Sequence, residues 1–146
     1  MVAALNDVFP SENSNRDDYW AGQSILGLLD YRASAIERLR SDLLEFSRLQ
    51  ANWDSYGAPR ISMDAIGAAL DTLPELLSSG APFPHLAPTP RGGIQAEWHS
   101  GSCSLELEFV SPVHIELFYE DEASGDVEDE TLSFDFAPLY RLVGEF

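Results

Sequence analysis

Apolar residues recur at steps of three, four or seven from Gln23 to about Asn52: Ile25, Leu29, Ile36, Leu39, Leu43, Phe46 and Trp53. That spacing predicts an amphipathic helix, with Glu37, Arg38, Arg40, Asp42, Glu45 and Arg48 mostly off the apolar stripe. A helix of that length would span about 45 Å, longer than a small domain needs, which leaves two readings: a break near Gly27 or Asp30, or a helix that projects and packs on a partner. The segment Asn52 to Pro59 ends it, since Gly57 admits a positive φ and Pro59 forbids continuation. Ser62 then reads as an N-cap, and Met63, Ile66, Leu70, Leu73 and Leu77 as the buried stripe of a second helix that Pro74 kinks or restarts and Gly80 ends. Four prolines, at 82, 84, 88 and 90, mark a stiff extended connector.

After Gly92-Gly93 the period falls to two. Ile94, Ala96 and Trp98 alternate with Gln95, Glu97 and His99. Cys103, Leu105, Leu107 and Phe109 alternate with Ser104, Glu106 and Glu108. Val113, Ile115, Leu117 and Tyr119 alternate with His114, Glu116 and Glu120. Leu132, Phe134 and Phe136 suggest a fourth strand, after an acidic loop from Glu120 to Glu130. The expected architecture is α+β, with two N-terminal helices packed on one face of a three- to four-stranded antiparallel meander. The boundaries are a loose segment at 1–18 and one domain at 19–146. Within that domain lie helices at 23–80, the connector at 81–93, the sheet at 94–136 and a short helix at 138–146.

A two-residue turn at Gly101-Ser102 sets Glu97 opposite Glu106. A three-residue turn at 110–112 sets Glu106 opposite Glu116. The polar face then carries three rows: Gln95, Glu108, His114; Glu97, Glu106, Glu116; and His99, Ser104, Phe118. Like charges directly opposite each other destabilise by about 0.2–1 kcal/mol per pair, so an Arg, a metal, a raised pKa or a basic partner should offset the middle row.

Charge sharpens this picture. The chain has 146 residues, 25 acids against 8 bases, and a net charge of −17. All eight bases are Arg. Residues 92–146 carry thirteen acids and one Arg. Such a balance argues against direct nucleic-acid binding and against adsorption to an anionic membrane. No apolar run approaches a membrane span, and the opening MVAALNDVFPSENSN lacks the features of a secretory signal. The single Cys103 forms no internal disulfide and fits a reducing compartment, so a cytoplasmic location is expected.

Reactive chemistry is sparsely indicated. Glu97 with His99, or His114 with Glu116, could join Glu106 or Glu108 around Mn, Fe or Zn. Yet H-E-x-x-H, a Cys pair and an EF-hand spacing are all missing, as are G-x-S-x-G, Walker A and G-x-G-x-x-G. Cys103 reads as a small inward hydrophobe, Trp53, Tyr56 and Trp98 as core anchors, and Asp54 as an Asx-type cap. No catalytic residue, metal or cofactor is assigned.

Two blocks resemble a known group. Asn52-Trp53-Asp54-Ser55-Tyr56-Gly57-Ala58-Pro59, followed by Ile61-Ser62, is similar to an N-W-D-G-Y-G-A-x-P-x-S pattern, with Ser55 where Gly is common. Pro88-Thr89-Pro90-Arg91-Gly92-Gly93-Ile94-Gln95-Ala96-Glu97-Trp98 is similar to P-x-P-x-G-G-I-x-x-E-W. Together they resemble a group of small, uncharacterised bacterial proteins. The resemblance implies a bacterial cytosolic setting and nothing about mechanism.

The expectation is therefore a non-catalytic acidic binding module: an inhibitor, an antitoxin- or immunity-type protein, or an adaptor in a defence or mobile-element setting. It would engage a basic protein, such as a nuclease or toxin, through Glu97, Glu106, Glu108 and Glu116 on the sheet and Glu120, Asp121, Glu122, Asp126, Glu128, Asp129 and Glu130 in the loop. A small metal-dependent hydrolase and a homo-oligomer formed through the long helix are the alternatives.

Overall fold

The computed structural model describes residues 15–146, with side chains from residue 25 onward. The chain divides into two units, residues 1–33 and 34–146. Helix α1, Asn15–Ser47, contributes to both and is uninterrupted, so no break occurs at Gly27 or Asp30. The expected loose segment 1–18 lies outside the described residues up to residue 14; residues 15–18 begin α1. In the first unit Ile25, Leu26, Leu28, Leu29 and Tyr31 are all exposed.

In the second unit the elements are the end of α1, α2 (Met63–Ser78), five strands and α3 (Ala137–Val143). The strands are β1 His85–Pro88, β2 Ile94–Ser100, β3 Cys103–Ser111, β4 His114–Asp121 and β5 Asp126–Leu132. They form one antiparallel sheet in sequence order. The α+β class with an antiparallel sheet holds, but with five strands rather than three or four.

The two unforeseen strands are the sheet's edges. β1 lies inside the proline-rich connector; an edge strand tolerates Pro88 because one side of its backbone pairs with nothing. β5 lies in the expected acidic loop. Its sequence DVEDETL buries only Leu132, because an edge strand at the sheet's margin needs little apolar patterning. The loop proper is the four residues 122–125, where Gly125 takes φ +79°. The expected fourth strand through Phe134 and Phe136 does not form: β5 ends at Leu132, and Phe134 is 85% exposed.

Alternation decides the core. Ile94, Ala96 and Trp98, Leu105, Leu107 and Phe109, Ile115, Leu117 and Tyr119 all face inward and are buried. They join Leu39 and Leu43 of α1, Ile66, Leu73, Leu76 and Leu77 of α2, and Leu139, Leu142 and Val143 of α3 in one hydrophobic cluster. Ser62 caps α2 through its hydroxyl, 3.1 Å from the Asp64 amide. α2 passes through Pro74 and ends in a Schellman turn, in which Gly80 (φ +108°) donates to the Leu77 carbonyl and Ala81 to that of Leu76. Its buried stripe differs from expectation. Met63 and Leu70 are exposed, and Ala65, Ala68, Ala69 and Leu76 take the inner positions, because small residues allow α2 to lie close to the sheet.

The two sequence blocks meet. In the first, the Asp54 carboxylate accepts from the amides of Tyr56 and Ala58, which hold its pKa below the ordinary value. Asn52 accepts from the Gly57 amide, and Trp53 donates to the Pro59 carbonyl. Tyr56 is not a core anchor; it stands 94% exposed at the tip of this turn. The turn delivers Pro59 and Arg60 against Gly92 of the second block, and the Ser62 amide donates to the Gly92 carbonyl at 2.8 Å.

Candidate functional site

The outward side chains of β2 to β5 alternate with the core residues, and none of them is buried. The β2–β3 register sets Glu97 opposite Glu106, as the Gly101-Ser102 turn predicts. The β3–β4 register differs. A two-residue turn at Pro112-Val113, with a bulge between Phe109 and Ser111, pairs Ser111 with His114, Glu108 with Glu116, and Glu106 with Phe118. The shift is by two residues, so the faces stay correct while the rows move.

The predicted Glu97-Glu106-Glu116 row is therefore replaced. One row now runs Ala87, Gln95, Glu108, Glu116, Thr131. The next runs His85, Glu97, Glu106, Phe118, Asp129. A third runs His99, Ser104, Glu120, Val127. Like charges still meet, at Glu108–Glu116 and at Glu97–Glu106.

The first of these pairs is neutralised from within the chain. The turn after β1 carries Arg91 over the end of β3 and β4, where its guanidinium bridges both carboxylates. Nη2 contacts Glu108 Oε2 and lies 2.6 Å from Glu116 Oε2, while Nε lies 3.2 Å from Glu108 Oε1. Thr89, which is buried, donates to Glu108 Oε1 at 2.8 Å and accepts from the Gly93 amide at 3.0 Å. His114 Nε2 lies 3.2 Å from Glu116 Oε1. The guanidinium, by hydrogen bond and charge, holds the Glu116 carboxyl below its usual pKa against the opposing effect of burial. The two carboxylates in turn raise that of Arg91.

Gly93 permits this geometry. A Cβ there would lie 2.9 Å from both the Phe109 carbonyl oxygen and Glu108 Oε1. Beside the clamp opens a cleft of about 270 Å³, lined by Ser62, Arg91, Gly92, Val110, His114 and Glu116. In this cleft the Ser62 hydroxyl is engaged as the α2 cap, and an imidazole and a carboxylate stand side by side.

The second pair has no arginine beside it among the described residues. Glu97 has His85 and His99 at 3.7 and 3.6 Å, and Glu106 accepts from Gln95 at 3.0 Å. On the β4–β5 hairpin, Glu128 is bound by Arg141 at 2.6 Å. Asp121 accepts from the Ser102 hydroxyl and the Ala123 amide, which lower its pKa. Among the described residues, no Arg of this chain pairs with Glu106, Glu120, Glu122, Asp126, Asp129 or Glu130.

The candidate residues thus fall into two groups. Glu108, Glu116 and Glu128 are structural ion-pair partners, a role that sequence reasoning missed. The lone Arg91 between Pro90 and Gly92-Gly93, in an otherwise acidic half of the chain, was the available signal. Of the remainder, Glu97, Glu106, Glu120 and Asp129 lie on the outer face, Glu122 in the β4–β5 turn, and Asp121, Asp126 and Glu130 on the edge hairpin with the parity of the core residues. Of the expected metal combinations, Glu106 is separated from Glu116, whereas His114, Glu116 and Glu108 stand together with Arg91 bridging the two carboxylates. Among the described residues, no three His, Cys, Asp or Glu side chains converge as a metal site. Cys103 packs partly buried against the core. It accepts from the Tyr119 hydroxyl at 3.5 Å, a contact that with burial pushes that phenol up to about 12.

Comparison with protein-family models, curated proteins and solved structures finds no match.

Proposed function

We propose that this chain is a non-catalytic acidic protein-binding module that engages a basic surface on a partner protein, as an inhibitor, an antitoxin- or immunity-type protein or an adaptor. One observation supports this reading above the rest. Among the described residues, three carboxylates on the outer sheet face (Glu106, Glu120 and Asp129) and three around the edge hairpin (Glu122, Asp126 and Glu130) have no guanidinium of this chain beside them, although the Glu108–Glu116 pair on the outer face does. A surface that selectively neutralises one end and leaves the other charged is suited to receive Lys and Arg from another molecule. The hairpin is a rigid presenter, since it closes through Gly125 to Asp121 and Glu122 to Ser102 backbone hydrogen bonds.

The test is affinity capture from a lysate of the source organism across a salt gradient. Wild type is compared with a variant carrying Gln or Asn at Glu120, Glu122, Asp126, Asp129 and Glu130. A basic partner retained at low salt, released well below about 1 M, and lost with the variant supports the reading. A partner held equally by both proteins refutes it. So does a variant whose only defect is self-aggregation, which would assign the acids to protection of the β5 edge.

A further inference from the structure

Five large apolar side chains crowd seven residues of α1 in the first unit: Ile25, Leu26, Leu28, Leu29 and Tyr31, each 47–62% exposed. Ile25, Leu28 and Leu29 share one face at the i, i+3, i+4 spacing, with Leu26 and Tyr31 on its flanks. We propose that this segment pairs with the same segment of a second copy of the chain. Three arguments select that occupant.

Charge is the first. Residues 25–33 carry one acid, Asp30, and one base, Arg32, within a chain of net charge −17. Two such chains repel one another overall, so copies meet most cheaply where the local charge is zero. A basic partner gains little from a segment with a single carboxylate, and an anionic bilayer repels the chain as a whole.

Area is the second. Two copies of the exposed patch together offer on the order of 1,000 Å², the lower limit for a specific interface. An isologous pairing needs no second patch, because one surface serves both copies.

Helix stability is the third. In proteins most helical stability comes from packing an apolar face rather than from intrinsic propensity. Pairing supplies that packing for residues that the helix itself leaves exposed.

Sedimentation velocity on the full chain provides the test. The expected species is a dimer with micromolar affinity that is no weaker at about 1 M salt, because screening removes the repulsion between copies. Leu28→Asp with Leu29→Asp should weaken the dimer by about 100-fold or more while leaving the thermal transition of the second unit in place. A spin label at Gly27→Cys, in a Cys103→Ser background, reads the pairing without disturbing the leucines; a Cβ at Gly27 meets nothing within 4 Å. Gly27 lies on the side of α1 away from Ile25, Leu28 and Leu29, so paired helices place such labels roughly 20–30 Å apart. A chain that stays monomeric to about 100 µM overturns the proposal. So does a dimer that survives the double substitution or dissociates on adding salt. A monomer that instead binds neutral lipid vesicles through these leucines also overturns it and assigns the face to a lipid surface.

Discussion

Replacing Arg91 by Met keeps the aliphatic stem and removes the charge that joins two strands. The side chain of Arg91 is 60% exposed, that of Glu116 38% and that of Glu108 19%. The Arg91–Glu116 contact therefore belongs with surface pairs, worth about 0.5 kcal/mol, and the better shielded Arg91–Glu108 contact lies nearer 1 kcal/mol. Removal also leaves Glu108 directly opposite Glu116, a like-charge cost of about 0.2–1 kcal/mol. The expected loss is about 2 kcal/mol at neutral pH, or a fall in melting temperature of roughly 6–10 °C for a domain of this size.

The pH dependence identifies the cause. Arg91 lowers the folded pKa of Glu116. Its stabilisation is then present above the unfolded carboxylate value and is lost as pH falls through the folded value. In the variant, protonation instead relieves the Glu108–Glu116 repulsion. The deficit should therefore shrink as pH falls below the ordinary carboxylate range and through the lowered pKa of Glu116. Urea unfolding of wild type, Arg91→Met, Glu116→Gln and the double variant at pH 7 and pH 3 gives both the deficit and the coupling energy. A deficit equal at both pH values, or a coupling near zero at pH 7, refutes the clamp as an electrostatic device.

Gly93→Ala should destabilise by about 1–3 kcal/mol in urea unfolding, because its methyl group meets the Phe109 carbonyl as well as Glu108, and backbone cannot step aside. Ser55 is held at φ +66°, so Ser55→Gly should stabilise by about 0.5–1 kcal/mol in thermal unfolding; a loss would show that the serine side chain earns its place there. Glu106→Lys places a cation opposite Glu97, in the same row as Asp129, and should raise stability by about 0.5–1 kcal/mol while weakening capture of a basic partner. A variant that gains stability and binds unchanged would separate this face from the interaction.

The helices and the three central strands were legible because their burial is one-sided and periodic. Leu39 and Leu43 at a step of four, and the alternation from Ile94 to Tyr119, describe a face that must be covered. The edge strands lacked that signal. His85–Pro88 reads as a proline connector and Asp126–Leu132 as an acidic loop, since strands with one free margin are held by backbone pairing more than by apolar content. Tyr56 and Met63 were misplaced for the converse reason: large apolar residues can stand exposed, while Ala65, Ala68 and Ala69 line the core.

Sequence by itself determined which face of β2, β3 and β4 holds the alternating glutamates, because parity survives any even shift in register. It also determined that the C-terminal half would be intensely acidic, a matter of counting. Tertiary structure alone decided which carboxylates stand together. The Pro112-Val113 turn together with one bulged residue after Phe109 moved Glu116 from Glu106 to Glu108, and a turn folded against the Asn52–Pro59 block brought Arg91 over that new pair. The physical reason is range: side-chain alternation is a property of neighbouring residues, whereas a salt bridge across 17 and 25 positions depends on turn lengths and packing that no local pattern encodes.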